Sequence, residues 1–131
     1  MQIHQINPWD WSLSLGYSQA VIIPGGCQQL HCAGQTSVDA RGQPLHEGDM
    51  GLQITQVLNN LQALLASAQM TFADVCSLRL YSTDVSQTLN NYGLIVERFT
   101  EFEHKPAMTL VEVSALAIPS LLIEIDAVAA V

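Results

Sequence analysis

Two acidic residues, Glu124 and Asp126, are the first candidates for chemistry in this chain. They alternate with Ile123 and Ile125 in the apolar segment LLIEIDAVA, so both carboxyl groups fall on one face of a predicted strand. A carboxylate in such a setting either has hydrogen-bond partners that offset its desolvation or takes part in proton transfer. The pattern alone leaves both interpretations open.

Arg79 is the next candidate, because arginine is rare here and this one lies in the middle of a predicted strand. It shares a strand face with Ser77 and Tyr81. The favoured interpretation is an ion pair with an acidic residue such as Glu112 or Asp126.

Tyr17 and His31 are further candidates, each with a structural alternative. Tyr17 either fills an interface, with its hydroxyl bonded to the backbone, or contacts a ligand. An imidazole can act as a base near neutral pH, but a single strand histidine such as His31 is more often structural. Trp9 and Trp11 are predicted to anchor the N-terminal arm against the body of the protein or a neighbouring subunit.

Composition excludes several classes of function. The 131 residues include 12 acidic and 4 basic side chains, giving a net charge of −8. Nucleic acids and anionic membranes bind clustered cations, so neither is expected as a partner. Only 12% of residues are charged, about half of the usual share, which indicates surface buried between subunits. The N-terminal MQIHQINPWDW has no cationic region followed by an apolar run, so we expect a cytoplasmic location.

The three cysteines, Cys27, Cys32 and Cys76, show no CxxC spacing, and the four histidines form no metal-ligand motif. We therefore expect reduced thiols and no metal site. Cys32 and Cys76 lie in apolar strand-like runs, which favours buried and unreactive thiols.

The first half of the chain predicts a hairpin and a helix. Residues 16–23 and 29–35 are strand-like and flank a Pro-Gly-Gly turn, while residues 38–48 are typical of an exposed loop. An amphipathic helix is predicted from Asp49, its N-terminal cap. Its apolar stripe consists of Ile54, Val57, Leu58, Leu61, Leu64 and Leu65.

The second half predicts three strands and a second helix. The strands are VCSLRLYST, MTLVEVSAL and LLIEIDAVA. The helix begins near Ser86, and its stripe consists of Leu89, Tyr92, Val96 and Phe99, with Gly93 in the middle. The order ββαβαββ predicts an α+β fold in which two helices cover one face of a single mixed sheet. A second subunit would then cover the other face.

The segments GYSQAV, AGQTSVD, QITQVLNNLQALLASAQMTFADV, YSTDV, EHKPAMTLVEVSAL and LLIEIDAVA follow one another along the chain. In this order they resemble the reactive-intermediate deaminase family, the RidA/YjgF superfamily, also labelled endoribonuclease L-PSP. The resemblance implies one domain over residues 1–131 with a chorismate-mutase-like fold. It also implies a homotrimer with a central barrel of sheets and three ligand clefts between subunits.

The resemblance further implies hydrolysis of imines and enamines to a keto acid and ammonia, without a metal or organic cofactor. It places Tyr17 in the ligand cleft and Gly34 in a backbone segment beside the ligand. Glu124 falls where the family has the glutamate that positions the attacking water.

Three positions depart from the family pattern. The arginine that normally follows Pro-Ala, and that suits a substrate carboxylate, is replaced by Met108. A small polar or cysteine position is Leu110, and the serine before Gly-Gln is Ala33. The chain therefore resembles an arginine-lacking branch, in which Arg79 is a candidate replacement for the carboxylate anchor.

These considerations lead to three hypotheses. The first is a cofactor-free deaminase or hydrolase that acts on an imine, enamine or related small molecule in clefts between subunits. Its predicted catalytic residues are Glu124 and Tyr17, and its predicted substrate-binding residues are Ala33, Gly34, Arg79, Met108 and Leu110. The second is a non-catalytic trimer that binds a metabolite or stabilises another protein. A ribonuclease is third, because of the negative charge.

Overall fold

The computed structural model describes residues 3–131, which form six strands and three α-helices. The strands are β1 (His4–Ile6), β2 (Ala20–Ile22), β3 (Gln29–Gln35), β4 (Val75–Ser82), β5 (Ala107–Glu112) and β6 (Ile123–Ala130). The helices are α1 (Met50–Ser67), α2 (Val85–Asn90) and α3 (Gly93–Thr100). The predicted α+β order is therefore confirmed, with an added first strand and a second helix that is divided in two.

The main sheet is mixed and has the strand order β3-β6-β4-β5. Strands β4 and β5 are parallel, whereas β6 runs antiparallel to both β3 and β4. Strands β1 and β2 form a separate antiparallel pair, so the predicted single sheet is wrong in this detail.

The predicted hairpin between residues 16–23 and 29–35 is also wrong. Within residues 3–131, β2 pairs with β1, and β3 pairs with β6 from the other end of the chain. Alternating side chains identify a strand but do not specify its partner. Here β3 places Leu30 and Cys32 against the core, and the long β6 satisfies its backbone groups.

Helix α1 begins where the sequence predicted. The Asp49 side chain accepts a hydrogen bond from the Leu52 amide at 3.0 Å, which satisfies one free donor of the first turn. Of the predicted stripe, Ile54, Val57, Leu58, Leu61 and Leu65 are buried. Leu64 is the exception, 37% exposed, because it lies at the edge of that stripe.

The second helical region differs from its prediction. It breaks between α2 and α3, and Gly93 becomes the first residue of α3. Ile95 and Phe99 of α3 are buried, as a core-facing stripe requires. Leu89 is 57% exposed, so its prediction as a core residue is wrong. Because the helix is interrupted between Asn90 and Gly93, one continuous stripe no longer describes both segments.

The two central strands, β4 and β6, separate apolar from polar side chains. Leu78 and Leu80 of β4, with Ile123 and Ile125 of β6, are buried in the core on the side of α1. The intervening residues of these strands lie on the opposite face, which we call the open face. They are Ser77, Arg79, Tyr81, Glu124, Asp126 and Val128.

One buried polar residue ties α1 to the strand that carries the carboxylates. Gln53 is fully buried, and its Nε2 donates to the His46 carbonyl at 3.0 Å. Its Oε1 accepts from the Leu122 amide at 2.8 Å, immediately before β6. This side chain therefore satisfies backbone groups of two loops at once.

We expect Gln53→Leu to lower the free energy of unfolding by about 2 kcal/mol, since two backbone groups lose their partner. Gln62→Leu, the same exchange at an exposed position of α1, should change it by less than about 0.5 kcal/mol. Urea denaturation of both variants measures the difference. Equal effects at the two positions would contradict the bridging role.

Candidate functional site

On the open face, Asp126 is held by two neighbouring side chains. The Arg79 Nε atom lies 2.9 Å from Asp126 Oδ1 and forms an ion pair, while the Tyr81 hydroxyl donates to Asp126 Oδ2 at 3.3 Å. The predicted pairing of Arg79 with an acidic residue is confirmed, with Asp126 rather than Glu112 as the partner. The Arg79 side chain remains 60% exposed, and the neighbouring carboxylate raises its pKa further.

Glu124, two residues before Asp126, has a different environment. A Cβ atom built on Gly34 would come 2.5 Å from Glu124 Oε2, so the glutamate side chain lies directly over the Gly34 backbone. Within residues 3–131 its carboxylate forms no hydrogen bond or ion pair. The absence of a side chain at Gly34 therefore makes room for an acidic group that has no hydrogen bond or ion pair within the described residues.

On the opposite side of the sheet, an apolar pocket of about 310 Å³ contains three of the predicted site residues. They are Tyr17, Met108 and Leu110. The remaining lining residues are Leu15, Leu89 and Tyr92. No charged residue lines this pocket, which therefore suits a neutral and largely apolar group.

Tyr92 closes one wall of the apolar pocket. Its hydroxyl donates to the Leu15 carbonyl at 2.6 Å and lies 3.4 Å from the Met108 sulfur. Burial, together with a smaller contribution from nearby Tyr17, raises the pKa of Tyr92 to about 12. Sequence reasoning treated Tyr92 only as helix packing, because a helical stripe does not reveal what an aromatic hydroxyl contacts.

Tyr17 is positioned by the N-terminal segment. Trp11 packs edge-on against its ring at a centroid distance of 6.1 Å, while the adjacent Ser18 bridges to Ala107 at the start of β5. Trp11 is 56% exposed and Trp9 62% exposed. The predicted anchoring of the arm therefore holds for Trp11 through its contact with Tyr17.

The predicted site residues thus fall into two groups. Met108 and Leu110 stand in register with buried Leu78 and Leu80, and pack on the helix side of the sheet. Gly34, Arg79 and Glu124 belong to the open face, with exposed Ala33 next to Gly34 in the chain. One copy of the chain therefore presents the two groups on opposite faces of the main sheet.

His31, Cys32 and Cys76 lie in environments typical of structural residues. The His31 Nε2 atom makes a 3.0 Å hydrogen bond with the side chain of Gln29, two residues away on the same strand. Burial raises the pKa of Cys32, with a smaller contribution from Asp126, and burial also raises the pKa of Cys76. Protonated thiols of this kind are poor nucleophiles.

Neither a metal-binding cluster nor a membrane-spanning helix is present in residues 3–131. In residues 3–131, no cluster of three or more histidine, cysteine or acidic side chains is arranged to hold a metal ion. None of the helices in this range is both long and apolar enough to span a bilayer.

Comparisons with known proteins agree on one family. The family model described as Endoribonuclease L-PSP matches residues 12–131. A RutC family protein from Pyrococcus horikoshii is 37% identical over 115 residues, which is 86% of this chain and 85% of the relative. The solved structure of YyfB from Yersinia pestis, a Rid family protein of unknown function, covers 100% of both chains at 36% identity with a TM-score of 0.91. RidA from the Antarctic bacterium Psychrobacter sp. is 28% identical over 88% of each chain, with a TM-score of 0.70.

The contact between Gly34 and Glu124 predicts an energetic coupling. Gly34→Ala should lower the free energy of unfolding by up to about 1 kcal/mol, because the new methyl group displaces the flexible end of the glutamate side chain. In a Glu124→Ala background the same change should cost less than about 0.5 kcal/mol. A double-mutant cycle by urea denaturation measures the coupling.

Gly25→Ala is the matched control, because a Cβ atom at Gly25 meets nothing within 4 Å. It should change the free energy of unfolding by less than about 0.5 kcal/mol. A cost for Gly34→Ala that is the same with and without Glu124 would show that the two residues do not interact.

The raised pKa of Tyr92 predicts a loss of stability in alkali. A tyrosine in the unfolded chain ionises near pH 10, whereas Tyr92 in the folded chain ionises at about 12. Its contribution to stability is therefore complete below pH 10 and is lost as the pH rises through about 12. The stability difference between wild type and Tyr92→Phe, measured by denaturation at a series of pH values, should shrink over this window. A stability difference that stays constant with pH would contradict a raised pKa for Tyr92.

Proposed function

This chain belongs to the endoribonuclease L-PSP family, which includes the Rid and YjgF proteins, and on that premise we propose that it hydrolyses an imine or enamine with a neutral, apolar side chain in clefts between its subunits. Membership confirms the resemblance found in the sequence and supports a deaminase-like or metabolite-binding role toward a small molecule. The identity of the reaction and the residues that perform it are our proposal.

The unpaired state of Glu124 is the observation that carries this proposal. Of the two carboxylates on the open face, Asp126 is held by Arg79 and Tyr81, whereas Glu124 has no such partner in the described chain. A carboxylate that is not committed to a structural contact is available to orient a water molecule and accept its proton.

The proposed reaction consumes one water and needs no oxidant or reductant. The water oxygen attacks the carbon of the C=N bond while Glu124 takes one water proton and passes it to the imine nitrogen, giving a carbinolamine. Glu124 then takes the carbinolamine hydroxyl proton and delivers it to nitrogen as the C–N bond breaks, so that ammonia leaves, the carbonyl product forms and Glu124 is again a carboxylate. An enamine enters the same path once a proton is added at carbon and one is lost from nitrogen, which converts it to the imine.

A complete site requires a second copy of the chain. Tyr17 and Met108 lie on the helix side of the sheet, whereas Glu124 lies on the open face. We propose that association, as a homotrimer, places the apolar pocket of one copy beside the Glu124 of the next. The low share of charged residues, 12%, supports extensive contact between copies.

Met108 and Leu110 define the substrate that we propose. The lining of the apolar pocket offers no cation to a carboxylate, and an unpaired carboxylate would be desolvated there at a large cost. The reacting molecule therefore carries a neutral, apolar side chain in this pocket.

The replacement of the family arginine by Met108 also favours a second candidate function, in which a trimer binds a metabolite without turnover. A thioether cannot hold a substrate carboxylate by charge, so the usual anchor for catalysis is missing at Met108. Ligand-dependent shifts in melting temperature without product release would favour this alternative. Ribonuclease activity ranks last, because the net charge of −8 opposes contact with RNA.

The test is ammonia release from imines generated in place by an amino-acid oxidase, with apolar and acidic side chains compared. Wild type should act on the apolar imines, and Glu124→Gln should lower kcat about 100-fold or more, because an amide cannot accept the proton. Glu47→Gln, the same exchange in an exposed loop, is the control and should retain full activity.

Met108→Arg extends the test to the substrate. We expect it to shift preference toward acidic imines, since guanidinium binds carboxylate through paired hydrogen bonds. A wild type that is inactive on every imine, with activity only in Met108→Arg, would replace the deaminase proposal by the binding one.

A further inference from the structure

The wall of the apolar pocket contains two aromatic rings, those of Tyr17 and Tyr92. Trp11 packs edge-on against the Tyr17 ring, with 6.1 Å between the ring centroids. The Tyr92 ring is held by its hydroxyl, which donates to the Leu15 carbonyl at 2.6 Å. Because each ring has a contact within the chain that limits its movement, both are in place before a ligand enters.

The sulfur of Met108 lies beside this aromatic wall. It is 3.4 Å from the Tyr92 hydroxyl oxygen, and Met108 lines the pocket together with both tyrosines. A thioether sulfur is polarisable and makes favourable contacts with an aromatic ring about 5 Å away. The pocket therefore has three side chains that gain from an aromatic neighbour.

The size of the pocket suits one small ring system. Its volume of about 310 Å³ lies at the lower end of the range for small-molecule sites, about 300–1,000 Å³. Two of its lining residues, Leu15 and Leu89, are exposed, so the pocket is open to an incoming molecule.

Burial alone does not select an aromatic occupant. It slightly favours a saturated ring, because cyclohexyl has more apolar surface than phenyl. Aromatic rings, however, have a negative face and a positive edge, and they pair with other rings edge to face or offset. The tyrosine rings and the sulfur therefore offer contacts that a saturated ring cannot make.

We propose that the apolar pocket is an aromatic subsite, which binds a phenyl or similar ring in preference to a saturated ring of the same size. The inference rests on the proposed function in one respect, since the ring is then the side chain of the imine that is hydrolysed. Binding of the ring itself involves Tyr17, Tyr92 and Met108 and can be measured without turnover.

The experiment compares phenylacetamide with cyclohexylacetamide, two neutral amides that differ only in the ring, by NMR titration of the full-length protein. Phenylacetamide should bind about fivefold more tightly, the gain expected from ring contacts beyond burial. Labelled methionine methyl groups locate the ligand. The Met108 methyl resonance should shift with phenylacetamide, whereas those of Met50 and Met70, which are buried in the core, should not.

Variants of Tyr92 separate the ring from the hydroxyl. Tyr92→Phe keeps the ring and should keep the preference for phenylacetamide, whereas Tyr92→Leu removes the ring and should abolish it. Met108→Leu keeps the volume without the sulfur and should reduce the preference. Phe102→Leu, which removes a ring outside the pocket, is the matched control and should bind both amides like wild type. Melting curves and sedimentation verify that each variant keeps its fold and mass.

Equal binding of the two amides by wild type, or tighter binding of cyclohexylacetamide, would overturn the aromatic subsite. Absence of binding would overturn it too, by indicating that another copy of the chain fills the pocket. Ammonia release from the imines of phenylalanine and cyclohexylalanine separates this inference from the proposed function. Preferential binding of phenylacetamide without ammonia release would retain the subsite and reject hydrolysis, whereas ammonia release with equal binding of both amides would do the reverse.

Discussion

The alternation of side chains along β6 determines both the core and the candidate site, because this strand pairs with two neighbours inside the main sheet. Ile123 and Ile125 are fully buried, while Glu124 and Asp126 lie on the open face. A shift of one residue in register would bury both carboxylates and expose the isoleucines, at the cost of desolvating two charges. Hydrophobic burial of alternate residues therefore fixes the positions of the acidic groups.

The two carboxylates share a strand face but not an environment, and that difference gives them different chemistry. Asp126 is engaged by Arg79 and Tyr81, although an ion pair with so exposed an arginine adds little stability. The main effect of this ion pair is that the Asp126 carboxylate is engaged in a structural contact. The Glu124 side chain instead lies over Gly34, in space that a side chain at Gly34 would occupy. Within residues 3–131, only the second arrangement leaves a carboxylate without a hydrogen bond or ion pair.

Local sequence patterns predicted those features of the fold that depend on residues close together in the chain. Capping by Asp49 and the apolar stripe identified α1, and alternation identified both faces of β4 and β6. The hairpin prediction failed because strand pairing is decided by contacts between distant segments. The contact of Gly34 with Glu124 was beyond prediction for the same reason, since it depends on the β3 to β6 register and on an irregularity between Cys32 and Gln35.

Met108 connects these observations, since it determines what the helix side of the sheet can bind. Its thioether is soft and uncharged, and it contacts a Tyr92 hydroxyl that is already bonded to the Leu15 carbonyl. A carboxylate placed there would lose its water and gain no cation. Strands β4 and β5 contain one positive charge that could offset a carboxylate, that of Arg79. It lies on the open face, across the sheet from Met108. The apolar lining at Met108 and the positive charge of Arg79 therefore lie on opposite faces of the main sheet. A molecule in the apolar pocket must be neutral where it meets Met108, and any negative group it carries must remain in solvent or be met by a residue of another copy.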